Sequence, residues 1–481
     1  MRYYLAIDIG ASSGRHILGH VENGRMVLEE MYRFDNKQIL KNGHDCWDIN
    51  HLWQSILQGL KACKAANKVP VTLGIDTWAV DFVLVDGDGT PVSDAVAYRD
   101  GRTKNIRSEL EHTLTFAQHY SHTGIQYQPF NTVYQLLALQ KENPLRLQQA
   151  YHMLMIPDYF HYLLTGKMVQ EYTNATSTAL VNAKTGFWDE ELINMLGLPK
   201  NIFTAIAMPG TTVGTLKKEI VQQIGFDCAV VLPATHDTGS AFLAVPARTE
   251  TAVYISSGTW SLLGVENKTP ITSPQSMAEN FTNEGGYEYR YRYLKNIMGL
   301  WMIQSVRREL NGVAYIKGKE HRTAANVQYS YAELEKLARQ EKDFSSTIDV
   351  DDPRFLAPES MMEAVKSLCV ETNQSVPQTV GQIMQCVYKS LAYKYKAAIE
   401  TLQRLTGKQY TCIHIVGGGS KDGYLNELCA KATGLPVYAG PTEGTALGNL
   451  MVQMIAGKEY ANLLEARQAI KNSFEIKEIK P

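Results

Sequence analysis

Three short runs of residues have the types and order that phosphate chemistry needs. Asp8-Ile9-Gly10-Ala11-Ser12-Ser13-Gly14-Arg15 sets a carboxylate at the end of an apolar stretch and follows it with small residues. Backbone N–H groups in such a turn can point together at an anion, and the carboxylate beside it suits a hydrated Mg²⁺ at Asp8. Ser256-Ser257-Gly258-Thr259 is a second turn of the same kind, about half a chain later. His236-Asp237-Thr238 follows the apolar run 229–232, which delivers a carboxylate to the mouth of a sheet, where ligands of open α/β sheets bind. There Asp237 can accept the proton of an attacking hydroxyl. Each run also has a plainer reading: two tight hairpins that need Gly and Ser for their dihedrals, and an Asp that caps the next helix. A fourth run, Gly417-Gly418-Gly419, lets the main chain approach a planar or charged ligand closely.

Other nucleotide motifs are excluded. After Gly417 and Gly419 a dinucleotide fingerprint needs glycine at 422, which is Asp. The Gly-Lys pairs at 166–167, 318–319, 407–408 and 457–458 all lack the following Ser or Thr of a P-loop. His112, His119 and His122 match no metal-ligand spacing, and an amphipathic helix face explains them. Asp86-Gly87-Asp88-Gly89 imitates a calcium loop, but its twelfth position is Ala97, not Glu. Seven cysteines without a C-x-x-C pair fit a reducing cytoplasm better than a disulfide framework. A formal net charge of −2 gives no general attraction to nucleic acid. Asp8 interrupts the N-terminal apolar stretch before it can act as an export signal, and no run is long enough to span a membrane.

Positioning these residues requires an α/β chain. Residues 3–9 and 15–21 read as a hairpin, 50–66 as a helix, and 71–76 with 82–85 as a second strand pair closing in the turn 86–89. Residues 103–203 are mainly helical in pattern, 229–232 is a strand, and Pro246-Ala247-Arg248 is a crossing point between domains. Strand, small polar turn and strand then recur over 252–265, as in a duplicated unit. A long helix over 379–405, a strand over 410–416 and a helix from about Asp422 complete the second half, with 318–353 as a polar surface insertion. With 481 residues the chain exceeds what one core supports, so two domains are expected, 1–246 and 247–481. One phosphate-facing hairpin from each half is how an actin-like ATPase holds a triphosphate between its lobes.

At these residues the chain resembles the FGGY carbohydrate kinases. Asp8 to Arg15 is similar to the family's first phosphate loop, so the resemblance implies ATP contacts from Ala11, Ser12, Ser13, Gly14 and Arg15. Gly74-Ile75-Asp76-Thr77-Trp78-Ala79-Val80-Asp81-Phe82 resembles the sugar-binding segment of the branch acting on L-rhamnulose, in which glycine is common where this chain has Ala79. Trp78, Ala79 and Phe82 would line the sugar. The runs 98–103, 155–160 and 171–176 continue the match. His236-Asp237-Thr238 corresponds to the motif bearing the family's base, which implies Asp237 as the catalytic residue and sugar contacts from all three. Thr259 matches the second ATP loop, Gln304 an ATP contact, Asn296 a sugar contact, and Gly417, Gly418 and Gly419 the glycine run against the nucleotide. Asn283-Glu284-Gly285-Gly286 and Leu294-Lys295-Asn296-Ile297-Met298-Gly299-Leu300-Trp301 are further marks of the same branch.

The resemblance runs in order from Tyr3 to about Leu450. It implies a two-domain, duplicated actin-like ATPase (ribonuclease H-like) fold with its active site in the interdomain cleft. The implied reaction uses ATP as co-substrate, with Mg²⁺, to phosphorylate the 1-hydroxyl of L-rhamnulose in rhamnose catabolism. L-fuculose is the nearest alternative acceptor. The expected protein is a cytoplasmic monomer or homodimer that binds neither nucleic acid nor membrane. Two readings from other classes are a chaperone-type ATPase, marked by sugar-independent turnover, and a sugar-responsive regulator, which needs a DNA-reading module ahead of the strand that begins at Tyr3.

Overall fold

The computed structural model describes residues 1–247, 249–316, 319–322 and 328–481. The chain forms two compact units: one of Met1–Arg248, Val265–Leu294 and Glu443–Phe474, the other of Thr249–Gly264, Lys295–Thr442 and Glu475–Pro481. The first crossing falls close to the expected boundary at 246, although Arg248 of the expected crossing point lies outside the described residues. Two later segments then return to the first unit, so its composition is not simply the first half of the chain. Among the described residues no helix is long and apolar enough to cross a membrane.

The first unit is built on a six-stranded sheet ordered Thr212–Thr215, Ala229–Val231, Pro70–Thr77, Tyr3–Ile9, Ser13–Glu22, Arg25–Asp35. Tyr3–Ile9 is its pivot, antiparallel to Ser13–Glu22 and parallel to Pro70–Thr77. Both faces of the pivot are covered, so it reads as a continuous apolar run, and its alternate residues serve two cores. Leu5, Ile7 and Ile9 join a cluster with Leu52, Ile56 and Leu60 of the Ile49–Ala65 helix. Tyr4 and Ala6 join another with Ala446, Leu447 and Leu450 of the Gly444–Ala456 helix. Asp8 follows in the second series, which aims it at the side of that helix.

The second unit has strands ordered Trp260–Asn267, Ala252–Ser257, Cys412–Val416, Val437–Ala439, Lys477–Ile479. Here too a central strand, Ala252–Ser257, has an antiparallel hairpin partner on one side and a parallel strand on the other. The pattern of the first unit therefore recurs. The Val380–Thr406 helix is capped by Thr379, whose side chain accepts from Gln382 N, and ends at Gly407 with φ 67°.

One expected pairing is corrected. Phe82–Val85 does not pair with Pro70–Thr77; it pairs antiparallel with His152–Met155, beyond a left-handed residue, Val80 at φ 68°. The polar stretch 318–353 contains the helix Tyr331–Gln340, started by a capping box between Ser330 and Glu333; residues 318 and 323–327 of it lie outside the described residues.

Candidate active site

The carboxylates of the first unit meet because parallel strands bring their C-terminal ends together. Asp8 and Asp76 are register partners on adjacent parallel strands, so their side chains leave the sheet on the same face. The next parallel step pairs Thr77 with His236, and Thr77 N donates to Thr235 O at 2.9 Å. Asp237 is thereby carried to the same edge, as the first residue of the Asp237–Leu243 helix, with His236 as the N-cap. The helix-cap reading of Asp237 is thus displaced by one position.

Charge is short on the positive side of this corner. Asp8 Oδ2 accepts from Arg15 Nη2 at 2.9 Å, its cross-strand partner, and Arg15 also pairs with Glu443. Asp76 is fully buried. Its Oδ2 accepts from Asn449 Nδ2 at 2.5 Å, while Oδ1 has no hydrogen-bond partner. Burial, and then the charge of Asp8, hold the Asp76 carboxyl well above the usual range. Burial also raises Asp237, with His236 opposing and Asp8 adding to the shift. Mutually destabilised carboxylates with an unpartnered oxygen among them fit a divalent cation nearby. Among the described residues no group of three or more His, Cys, Asp or Glu is placed to ligate a metal directly.

Behind Asp237 lies a buried polar layer. Glu171 accepts from Thr173 N (2.8 Å), Thr173 Oγ1 (2.6 Å), Asn174 N (3.2 Å), Thr235 N (3.1 Å) and Thr235 Oγ1 (2.7 Å). It caps Tyr172–Ser177 and fixes the residue two before Asp237 with one carboxylate. Burial raises the Glu171 carboxyl in spite of these donors. His236 Nδ1 is 3.0 Å from Arg292 Nη2 and 3.1 Å from Glu284 Oε2, and His236 Nε2 is 3.5 Å from Asp237 Oδ1. Burial alone would raise Glu284, but Arg292 and His236 bring it below the usual range; burial lowers Arg292 against its acidic neighbours.

The segment 78–82 is held by Asp81. Its Oδ2 accepts from Trp47 Nε1 (2.6 Å), Trp78 Nε1 (3.0 Å) and Tyr98 N (3.0 Å), and its Oδ1 from Gln135 Nε2 (2.8 Å). Burial pushes the carboxyl up to about 6 despite these donors. Val80, β-branched at φ 68°, carries strain of about 1–3 kcal/mol and is fixed on both sides: Val80 N donates to Ser177 Oγ at 3.3 Å, and Val80 O accepts from Thr132 Oγ1 at 2.6 Å. The Trp78 ring lies 4.1 Å from that of Trp47. Ala79 is half-buried. Phe82 is 5% exposed and packs in a core with Leu84, Val133 and Met155.

The phosphate-turn residues differ in why they are small. Ala11 and Ser12 sit at the exposed tip of the first hairpin, with Ser13 half-buried; Gly10 N donates to Ser13 O at 2.9 Å. Gly14 is already inside the Ser13–Glu22 strand, where an added Cβ would stand 2.1 Å from Phe34 Cζ. The ring dictates glycine at that position. In the second unit, Gly258 N donates to Trp260 O at 2.8 Å, which leaves Thr259 exposed at the tip of its hairpin. Gly417 has φ 85°, and a Cβ on Gly419 would fall 1.9 Å from Ser257 Oγ. Only Gly418 of the three has open space where a side chain would be. Gln304 is on the Trp301–Leu310 helix, and Asn296 Oδ1 is buried without a hydrogen-bond partner.

Sequence reasoning gave no role to Arg292, Glu284, Glu171 or Asn449. The last had a local signal: Asn449 and Gln453 are buried amides four apart on the largely apolar Gly444–Ala456 helix, a spacing that puts them on one face. They bond each other at 2.7 Å, and Gln453 Nε2 also donates to Leu5 O at 2.9 Å. His119 and His122 lie on the Phe116–Thr123 helix with unrelated partners, Ala179 O at 2.7 Å and Asp189 at 2.9 Å, whereas His112 lies in a turn outside it, so one amphipathic helix face does not account for all three. All seven cysteines are free.

Residues 3–244 match the family model described as the N-terminal domain of the FGGY family of carbohydrate kinases, and residues 253–457 match its C-terminal domain. The chain is 49% identical over 472 residues to a rhamnulokinase of Oceanobacillus iheyensis, covering 98% of this chain and 97% of that one. It is 48% identical over 477 residues to a rhamnulokinase of Halalkalibacterium halodurans, with 99% and 98% covered. Among solved structures it is similar to a gluconate kinase and a ligand-bound xylulose kinase from Lactobacillus acidophilus. Each has a TM-score of 0.80 and 18% identity and covers 100% of this chain and 94% of that one; at that identity the likeness concerns the fold.

Proposed function

We propose that this chain, which belongs to the FGGY family of carbohydrate kinases, transfers the γ-phosphoryl group of ATP to the 1-hydroxyl of L-rhamnulose, giving ADP and L-rhamnulose 1-phosphate. The observation that carries the choice of sugar is the near full-length identity of 49% to a rhamnulokinase. Asp237 takes the proton of the 1-hydroxyl as its oxygen attacks the γ-phosphorus and ADP leaves. Its raised pKa, caused first by burial, makes the carboxylate a stronger proton acceptor. Trp78 and Ala79 on the segment fixed by Asp81, with His236, Thr238 and Asn296, contact the sugar; Phe82 supports that segment from the core. Ala11, Ser12, Ser13, Thr259, Gln304 and the open face at Gly418 contact ATP, and Gly14, Gly417 and Gly419 let their loops take shape. Arg15 serves the nucleotide only while shared with Asp8 and Glu443. Asp8, with Asp76 behind it, would hold Mg²⁺ through water, and the ion when bound neutralises phosphate charge.

The test is ADP release measured with L-rhamnulose, L-fuculose, L-xylulose, D-xylulose and glycerol in turn. L-Rhamnulose is expected to raise turnover by orders of magnitude over ATP alone, because the correct substrate completes the site and excludes water. A larger effect of L-fuculose would overturn the choice of sugar, and equal rates with and without every acceptor would overturn the kinase reading.

A further inference from the structure

We propose that Arg292, held beside its counter-charge Glu284, is a positioning residue that sets the tautomer of His236, so that its proton sits on Nε2, on the side of Asp237. The inference rests on the reading of Asp237 as the base, and concerns how that base is kept ready.

The geometry separates the two ring nitrogens. Arg292 Nη2 stands 3.0 Å from His236 Nδ1 with hydrogen-bond geometry. A guanidinium only donates, so Nδ1 must be the acceptor, and a neutral imidazole then carries its hydrogen on Nε2. Glu284 Oε2 lies 3.1 Å from Nδ1 and 3.1 Å from Arg292 Nη2, yet it has no hydrogen-bond partner; the lone-pair direction of Nδ1 is filled by the arginine. Glu284 is the counter-charge that lets a guanidinium 1% exposed remain there, while Arg292 Nε, donating to Gly285 O at 2.9 Å, fixes the plane of the fork.

All three side chains are more than nine-tenths buried, so solvent does not decide the tautomer. On the other side of the ring, Nε2 faces Asp237 Oδ1 at 3.5 Å. An N–H there offers a positive edge to the carboxylate and favours its charged, proton-accepting state. A bare lone pair would repel it. His236 is held in place independently by its backbone, with His236 N donating to Thr173 Oγ1 at 3.2 Å, so the arginine acts on the ring and not on the loop.

The experiment uses the full chain labelled with ¹⁵N-histidine. Long-range ¹H–¹⁵N spectra distinguish protonated from bare ring nitrogens, and His236→Gln identifies the signals of His236. In the unmodified protein at the pH of the assay, Nε2 is expected to be protonated and Nδ1 bare; a proton on Nδ1 overturns the proposal without any variant. Arg292→Gln leaves Glu284 facing Nδ1, and the proton is expected to move there, with kcat at least tenfold lower and the ATP KM unchanged. Retention of the Nε2 proton, or of kcat, in folded Arg292→Gln overturns it. Glu284→Gln keeps the arginine donor and is expected to retain the Nε2 proton; a switch in that variant assigns control to the carboxylate and likewise refutes the role given to Arg292. If Asp237→Asn kept full kcat while these spectra came out as stated, the base reading would fall and the tautomer assignment would stand.

Discussion

Replacing Asp237 by Asn separates a proton acceptor from a helix-terminal carboxylate. Asp237 Oδ1 accepts from Thr238 N at 2.6 Å and from Thr238 Oγ1 at 3.2 Å, and asparagine retains an oxygen able to accept both. What disappears is the charge. Near the N-terminus of a helix a negative charge contributes about 0.3–1 kcal/mol. Burial and Asp8 act in the opposite direction, since both raise the Asp237 pKa. The change in folding free energy is therefore expected to stay below about 1 kcal/mol. The effect on chemistry is much larger, because a general base contributes about 10²–10⁴-fold, or roughly 3–5 kcal/mol of barrier. Measuring kcat by ADP release, sugar Kd by calorimetry and the thermal midpoint on one preparation distinguishes the two roles. The expected result is a large loss of kcat with sugar affinity and midpoint nearly unchanged. Near-normal kcat in a folded variant would refute the assignment of the base.

Three more outcomes follow from particular contacts. Gly14→Ala is expected to destabilise the fold by about 1–3 kcal/mol through overpacking against Phe34, and Phe34→Leu in the same chain should recover part of it; strictly additive effects in denaturant melts would show that the ring is not the cause. Glu171→Gln places an amide donor among donors and should cost about 1.5–3 kcal/mol for each charge-assisted bond lost, with reduced kcat because Thr235 is released; wild-type stability would refute the latch. Asp81, raised from 3.8 to about 6 by burial, binds its proton more tightly in the folded than in the unfolded chain. Its contribution is therefore complete below about pH 4 and is lost as pH rises to about 6, roughly 3 kcal/mol in all. Relative to Asp81→Asn, the native chain should lose stability over that window, and parallel pH profiles of the two proteins would refute the shift.

The local pieces are legible in the residues themselves. Small residues between apolar runs mark both hairpin turns, the 3.6-residue period marks the Ile49–Ala65 and Val380–Thr406 helices, and the apolar run before His236-Asp237-Thr238 marks where a carboxylate emerges. Each signal lies within a few residues, because turn dihedrals and helical faces are set by near neighbours. Which acids share a corner depends on long-range strand pairing. Asp8 and Asp76 meet through the register of two parallel strands, and parallel pairing joins segments that no turn links. Gly14 resembles a phosphate-loop glycine in sequence, yet the ring of Phe34 from a neighbouring strand dictates it. The partner of Phe82–Val85 is His152–Met155, a segment far along the chain, and the strain of Val80 beside it persists where Ser177 and Thr132 hold it. Arg292 carries no local mark, and the run Asn283-Glu284-Gly285-Gly286 marks Glu284 without showing its partner. A buried charge is stable only beside its counter-charge, and here that pairing, with the ring of His236 between Arg292 and Asp237, exists only once the strand Tyr291–Met298 has folded against the start of the Asp237–Leu243 helix.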